Sequence, residues 1–180
     1  MIKVAINGFG RIGRLVFRIM ANDPEFDIVA INDLTDAEQL AYLLKYDTNH
    51  RNYNVDGINF VDNNIVVDGK KIPVYSSMDP SVLPWGELGV DVVFECSGKF
   101  TDKDKASLHI KAGAKKVIIS APAKGDLKTI VYNVNDDILT GEEEVISAAS
   151  CTTNCLAPVL KVINDEFGIE KGYMTTVHAY

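Results

Sequence analysis

A cysteine and a histidine near the end of the chain have the types and spacing of a nucleophilic pair. Cys151 follows Ser150, a good helix N-cap, and begins a segment with apolar residues at helical spacing that ends before Gly168. This pattern predicts a helix over residues 151–167 with Cys151 in its first turn. The helix dipole favours a thiolate there, and His178 beside it would complete a Cys–His pair. The alternative is that Cys151 is a small buried hydrophobic residue.

The other two cysteines carry weaker signals. Cys155 lies one turn further along the same face of the predicted helix, where we expect a packing role. Cys96 follows an apolar run and is expected in the core. A C-x3-C spacing without a second pair of ligands predicts no metal site. Three cysteines, with no signal peptide and no long apolar span, favour a reduced, soluble, cytoplasmic protein.

The first part of the chain has the pattern of a dinucleotide-binding unit. A short buried strand over residues 3–7 leads into a Gly-x-Gly-x-x-Gly motif at residues 8–13. A helix pattern follows, and its predicted buried stripe consists of Leu15, Val16, Ile19 and Met20. A second apolar strand over residues 28–31 precedes Asp33, which lies 20 residues after the last glycine of the motif. That order and spacing are typical of a fold that binds a dinucleotide.

Each glycine of the motif has a separate predicted role. Gly8 allows the tight turn, Gly10 lets the backbone approach a pyrophosphate at the helix N-terminus, and Gly13 lets the helix pack closely on the strand. Asp33 selects between cofactors, because a carboxylate accepts a hydrogen bond from a ribose 2′-hydroxyl and repels a 2′-phosphate. NAD is therefore favoured over NADP.

Composition sets broad limits on the function. A chain of 180 residues with 47% hydrophobic content can form an ordinary core, which argues against disorder. The net charge is −7, and no basic run exceeds two residues. This balance argues against nucleic acid or an anionic membrane as the main partner. Arg11 and Arg14, near the phosphate loop, would either bind an anion or simply be solvated.

The rest of the pattern predicts a doubly wound α/β fold with a mostly parallel sheet. Ser97 and Gly98 follow a buried strand at its carboxyl end, where such folds bind ligands. Pro73 predicts that its strand lies at a sheet edge. The predicted elements are helices over residues 35–45 and 106–112, a hairpin of strands 64–67 and 70–75, and strands over residues 90–95, 117–120, 130–132 and 145–148.

We expect a domain boundary near Ala149, where a compact nucleotide-binding fold would be complete. This divides the chain into an NAD-binding domain over residues 1–149 and the start of a second domain over residues 150–180. The two other histidines have no second ligand nearby in the sequence. His50 lies in a polar loop and is expected to be solvated, and His109 is expected on a helix surface or at its packing edge.

Three segments resemble the phosphorylating glyceraldehyde-3-phosphate dehydrogenases. Residues 5–14 (AINGFGRIGR) are similar to the opening of that family, residues 150–158 (SCTTNCLAP) to its catalytic signature, and residues 175–180 (TTVHAY) to its catalytic-histidine strand. The resemblance covers all 180 residues but only about the first half of a usual family chain. It implies a Rossmann-type sheet followed by the first helix and strand of a truncated α+β catalytic domain.

The resemblance implies a two-step reaction. Cys151 would attack the aldehyde of glyceraldehyde 3-phosphate to form a thiohemiacetal, and His178 would accept the proton. Hydride would pass to NAD and leave a thioester, from which inorganic phosphate would release 1,3-bisphosphoglycerate. Ser150 and Thr152 would contact the substrate or the attacking phosphate. The enzyme would be a glycolytic, NAD-dependent phosphorylating aldehyde dehydrogenase and a homotetramer.

The resemblance also assigns the cofactor site. The residues implied beside the three glycines are Arg11, Ile12, Asp33, Ser97, Gly98, Phe100 and Ser120. Many family members have arginine where this chain has Met78, which would alter a contact on the adenine side.

Other functions stay open at this point. Erythrose-4-phosphate dehydrogenase shares the nucleophile and the fold, and a nucleotide-binding or interaction module without turnover belongs to a different class. The chain ends inside a β-branched run without a cap or polar tail, so we expect a truncated catalytic domain and little activity from these 180 residues alone.

Overall fold

A mostly parallel sheet of nine strands runs through the computed structural model, which describes residues 1–178. The strands are β1 (Ile2–Asn7), β2 (Phe26–Asn32), β3 (Ile58–Val61), β4 (Asn64–Val67), β5 (Lys70–Tyr75), β6 (Val92–Glu95), β7 (Lys116–Ile119), β8 (Lys128–Thr129) and β9 (Val145–Ser147). Their order across the sheet is β3-β4-β5-β2-β1-β6-β7-β9-β8. The pairings from β5–β2 through to β9–β8 are parallel, and β3–β4 and β4–β5 are antiparallel. The predicted doubly wound α/β fold is confirmed.

Aspartate side chains cap two of the helices. The helices are α1 (Arg11–Met20), α2 (Ala37–Lys45), α3 (Trp85–Leu88), α4 (Lys103–Lys111) and α5 (Cys151–Phe167). The carboxylate of Asp36 caps α2 by accepting from the Gln39 N–H at 2.8 Å, so this helix begins two residues after the predicted residue 35. Asp102 caps α4 in the same way, which starts that helix three residues before the predicted Ala106.

The core lies on both faces of β1. Val4 and Ile6 belong to a cluster with α1, α2 and the hairpin, whereas Ala5 belongs to a second cluster with Trp85 and β6. Successive residues of a strand point to opposite faces, so this alternation shows that both faces of β1 are covered. Val4, Ala5 and Ile6 have no exposed surface. The glycine motif that follows β1 is therefore attached to a strand that is buried on both faces at its carboxyl end.

The predicted apolar stripe of α1 is partly wrong. Gly13 and Phe17 are its buried residues, while Ile19 is 74% exposed. The Phe17 ring meets Phe9 edge to face, with ring centroids 5.6 Å apart. Because Gly13 has no side chain, α1 lies directly against the turn after β1, and this close approach directs Phe17 into the core.

Two strand predictions are also wrong. Residues 130–132 form no strand, because β8 ends at Thr129 and the Val131 N–H donates instead to Asn135 Oδ1 at 2.8 Å. The strand that contains Pro73 is not at a sheet edge, since β5 lies between β4 and β2. The missing N–H of Pro73 is tolerated there because β2 pairs only with Val74 and Tyr75.

The last helix has the predicted bounds but little packing. The Ser150 hydroxyl accepts from the Thr153 N–H at 2.9 Å, and α5 ends before Gly168. None of its residues is buried, and Phe167 is 86% exposed. Residues 175–178 were predicted to be a strand and have no regular structure, because no described strand lies beside them to pair with. Ala179 and Tyr180, the end of that motif, lie outside the described residues.

Within residues 1–178, the structure contains no helix that is long and apolar enough to span a membrane.

Candidate functional site

A cavity of about 270 Å³ opens at the carboxyl ends of β1, β2 and β6. The sheet order changes direction here, since β2 lies on one side of β1 and β6 on the other. Open α/β sheets bind their ligands at such a switch point. Five predicted cofactor residues line the cavity, namely Gly8, Gly10, Asp33, Ser97 and Phe100, together with Met78.

The glycine turn is shaped by contacts that exclude side chains at two of its positions. A Cβ on Gly13 would lie 2.1 Å from the carbonyl oxygen of Gly8, so α1 and the turn are in direct backbone contact. Gly8 has a φ of +89°, and a Cβ on it would lie 2.5 Å from the Ser97 N atom. Around Gly10, by contrast, no atom lies within 4 Å of the Cβ position. The backbone of the turn is thus tightly packed at Gly8 and Gly13 and open at Gly10, where a bound pyrophosphate would need to approach it.

The carboxylate of Asp33 is bound to the same turn. Its Oδ2 accepts from the Phe9 N–H at 2.6 Å, and its Oδ1 accepts from the Thr35 N–H at 3.0 Å. These bonds hold the negative charge at the mouth of the cavity, beside Gly10. A ribose 2′-hydroxyl can donate to such a carboxylate, and a 2′-phosphate would meet a like charge. The residues present therefore fit NAD.

The other predicted cofactor residues lie outside the cavity wall. Arg11 and Ile12 start α1 and are exposed, Ile12 to 45%. Gly98 continues the loop after Ser97. The Ser120 hydroxyl donates to the carbonyl oxygen of Glu95 at 3.0 Å, next to Cys96. The glycine turn, Asp33 and the Ser97 loop thus lie together around the cavity, whereas Arg11, Ile12, Gly98 and Ser120 do not line it.

Sequence reasoning missed a buried polar network beneath the cavity. His109, expected on a helix surface or at its packing edge, has no exposed surface and packs between Trp85, Phe100 and Glu95. Glu95, at the end of β6, is 1% exposed. The available signal was a glutamate that ends an apolar strand, because a buried carboxylate requires hydrogen-bond donors around it.

A second, shallower cleft of about 290 Å³ contains the predicted nucleophile. Cys151 and Thr152 from the start of α5 share it with Thr176 and His178 from the segment after the helix. Cys151 is exposed. The hydrogen-bond partner of His178 Nε2 is Thr176 Oγ1, at 2.9 Å, rather than the thiol. The structure therefore brings the predicted pair to one cleft without joining them by a hydrogen bond.

The turn that carries Cys151 is held in an unusual backbone conformation. Ala149 is buried with a φ of +61°, a region that non-glycine residues seldom occupy. The Asn154 amide donates to the carbonyl oxygens of Ala148 at 2.8 Å and Ser150 at 2.9 Å, which fixes the turn. Strained residues of this kind concentrate at functional sites, where surrounding contacts maintain them.

The three cysteines differ in their surroundings. Cys96 is half-buried beside the cofactor cavity, and burial raises the pKa of its thiol to about 11. Cys151 and Cys155 are both exposed, so the predicted packing role of Cys155 is not seen in the described chain. Residues 1–178 contain no group of three histidine, cysteine or acidic side chains that could hold a metal ion.

Comparison with known proteins gives the family of the chain. Residues 2–103 match the family model of the glyceraldehyde 3-phosphate dehydrogenase NAD-binding domain, and residues 150–180 match that of the C-terminal domain. The whole chain is 62% identical to a glyceraldehyde-3-phosphate dehydrogenase of Clostridium pasteurianum and 60% identical to one of Clostridium acetobutylicum. It is 54% identical to one of Thermotoga maritima. In each case it covers 54% of the relative, so the chain spans about half the length of the curated relatives it matches. The chain belongs to the glyceraldehyde-3-phosphate dehydrogenase family, and its cofactor is NAD.

Proposed function

We propose that these residues form the NAD-binding part and the first catalytic elements of a glycolytic glyceraldehyde-3-phosphate dehydrogenase. The observation that carries the proposal is the combination of two sites on one chain. The Gly10–Asp33 cavity fits NAD, and an exposed Cys151 begins a helix in a cleft shared with His178. We place the boundary between the NAD-binding domain and the start of the catalytic domain at residues 149 and 150.

In the proposed reaction, Cys151 adds to the aldehyde. The Sγ–carbon bond forms, and the carbonyl oxygen takes a proton to give a thiohemiacetal. His178 then accepts that hydroxyl proton as hydride leaves the same carbon, which restores the C=O bond as a thioester. NAD, when bound, supplies the hydride acceptor. Inorganic phosphate attacks the thioester, the carbon–sulfur bond breaks, and Cys151 is released as thiolate.

The start of α5 would assist both steps. The first-turn N–H groups of a helix carry partial positive charge, which favours the Cys151 thiolate and an anion bound beside it. Thr152 faces the cleft, and Ser150 caps the helix. We propose that they contact the substrate or the attacking phosphate. The cofactor would be held by the glycine turn, Asp33 and the residues Arg11, Ile12, Ser97, Gly98, Phe100 and Ser120. We further propose a cytoplasmic homotetramer.

The order of cysteine alkylation tests the nucleophile. In a complete dehydrogenase that begins with these residues, brief iodoacetamide treatment followed by mass mapping should label Cys151 first. Cys96 should react last, because a thiol with a pKa of about 11 is roughly 0.1% thiolate at pH 8 and is half-buried. Cys155 is the matched control, since it is exposed on the same helix one turn later.

Replacing His178 with asparagine should slow the alkylation of Cys151. It should also lower turnover by about 100-fold or more, because asparagine cannot accept the proton that His178 takes. Labelling of Cys96 or Cys155 before Cys151 would contradict the assignment of the nucleophile.

A further inference from the structure

A buried carboxylate beneath the cofactor cavity receives hydrogen bonds from four donors. Glu95 Oε1 accepts from the backbone N–H of Ser97 at 2.8 Å and from the Ser97 hydroxyl. Its Oε2 accepts from the Asn7 side-chain amide and lies 3.0 Å from His109 Nε2. The side chains of Glu95 and His109 have no exposed surface. A buried carboxylate is costly unless such donors compensate it, so its surroundings reveal what it is bound to.

The direction of each bond on the His109 side follows from Trp85. The indole N–H can only donate, and it lies 2.9 Å from His109 Nδ1. His109 Nδ1 must therefore be the acceptor. The ring proton is then on Nε2 and points to Glu95, and the imidazole is neutral.

The direction on the other side follows from a backbone group. The Ser77 N–H donates to Asn32 Oδ1 at 2.9 Å, so the Asn32 amide nitrogen faces Asn7 and donates to its Oδ1 at 2.7 Å. The Asn7 amide nitrogen is then left to donate to Glu95. Both chains of hydrogen bonds thus deliver donors to the same carboxylate oxygen, Oε2, while the Ser97 N–H and hydroxyl donate to Oε1.

The network joins the two sides of the cavity. Asn7, Asn32, Ser77 and Ser97 all line it, whereas Glu95 lies underneath. The Ser97 hydroxyl donates to Glu95 and accepts from the Lys99 N–H at 3.1 Å, so it offers a bound ligand only an acceptor. The same loop abuts Gly8. The position of the loop after β6 relative to the glycine turn therefore depends on the Glu95 carboxylate.

We propose that Glu95 is a positioning residue of the NAD site, whose buried carboxylate holds the Ser97 loop and Asn7 at the cavity. This inference rests on NAD binding in the cavity. Glu95 acts through the residues that line the site and does not contact the cofactor itself.

The test measures NAD affinity by titration calorimetry and unfolding by thermal melts in the same variants. Glu95→Gln keeps the shape of the side chain but places an amide N–H against two donors. We expect its NAD dissociation constant to rise by about tenfold, since one mismatched buried hydrogen bond has about that effect. Trp85→Phe is the control at the far end of the network. It should lower the melting temperature and leave NAD affinity within about twofold of the unmodified chain.

A charge swap separates positioning from general destabilisation. In the double variant Asn7→Asp with Glu95→Gln, the donor and acceptor of that pair exchange, and the new carboxylate at position 7 still accepts from Asn32. His109 keeps a mismatched partner, so we expect partial recovery, with NAD bound about threefold more tightly than by either single variant. If Glu95→Gln does not fold, the NAD affinity of the double variant is compared with that of Asn7→Asp alone, and tighter binding by the double variant supports the proposal.

Three outcomes would overturn the proposal: a folded Glu95→Gln with unchanged NAD affinity, a Trp85→Phe loss of affinity equal to that of Glu95→Gln, or a swap no better than the single variants. Failure of the unmodified chain to bind NAD would instead contradict the proposed function.

Discussion

Replacing Gly13 with alanine should strongly destabilise the chain. The new methyl group would lie 2.1 Å from the Gly8 carbonyl oxygen and 3.1 Å from Ile6 Cγ2. The turn cannot retreat, because its other side already abuts the backbone at Ser97. We expect a loss of roughly 3 kcal/mol or more of unfolding free energy. In a chain of this size that would lower the melting temperature by roughly 10 °C, which circular dichroism would record.

Gly10→Ala is the matched control for that change. The substitution is the same and lies three residues away, but Gly10 has a φ of −69° and ψ of −159°, which alanine adopts freely. No atom lies within 4 Å of the added methyl. Stability should therefore stay within about 0.5 kcal/mol. NAD affinity should fall by about tenfold, because the methyl occupies the space that the pyrophosphate needs. Equal destabilisation by Gly10→Ala and Gly13→Ala would contradict these separate roles.

A polypeptide of these 180 residues should have at least ~100-fold lower dehydrogenase activity than a complete family enzyme, even though Cys151 and His178 are present. No residue of α5 is buried, and His178 bonds to Thr176 instead of the thiol. A displacement of about 1 Å at a reacting centre can alone cost about 100-fold. The assay is NADH formation from glyceraldehyde 3-phosphate and inorganic phosphate. Activity close to that of the complete enzyme would refute this prediction.

Hydrogen exchange supplies the physical readout for the same prediction. The amides of residues 4–6 and 92–94 lie in the centre of the sheet and should be strongly protected. Those of residues 175–178 have no strand partner in the described chain and should exchange fast. Protection of residues 175–178 equal to that of β1 would show that the cleft is ordered in these 180 residues after all.

Local signals in the sequence predicted the parts of the site that depend on short segments. The patterns that predict the glycine motif, Asp33 and the helix from Cys151 to Phe167 each lie within a short stretch of sequence. Their positions agree with the structure. The predicted strand over residues 175–178 failed for the opposite reason. A β-branched run is a strand only when a neighbour satisfies its backbone.

The Glu95 network could not be predicted from such signals. Asn7 and Glu95 are 88 residues apart in sequence, and His109 meets Glu95 only because α4 packs on the sheet. By sequence alone, His109, which follows Ser107 and Leu108 and precedes Ile110, fits a helix surface or its packing edge equally well. Only the fold shows that both ring nitrogens of His109 form hydrogen bonds, Nδ1 with Trp85 and Nε2 with Glu95.

The most direct test of the NAD site is a calorimetric titration of the chain with NAD and with NADP. We expect NAD to bind at least roughly tenfold more tightly, because the Asp33 carboxylate at the cavity mouth repels a 2′-phosphate. Asp33→Gly should reduce the difference in affinity between NAD and NADP. Asp33→Asn should reduce the same difference while retaining an acceptor for the Phe9 N–H. Equal affinity of the unmodified chain for the two cofactors, or a difference that survives both substitutions, would contradict the assignment of Asp33 and of the cavity.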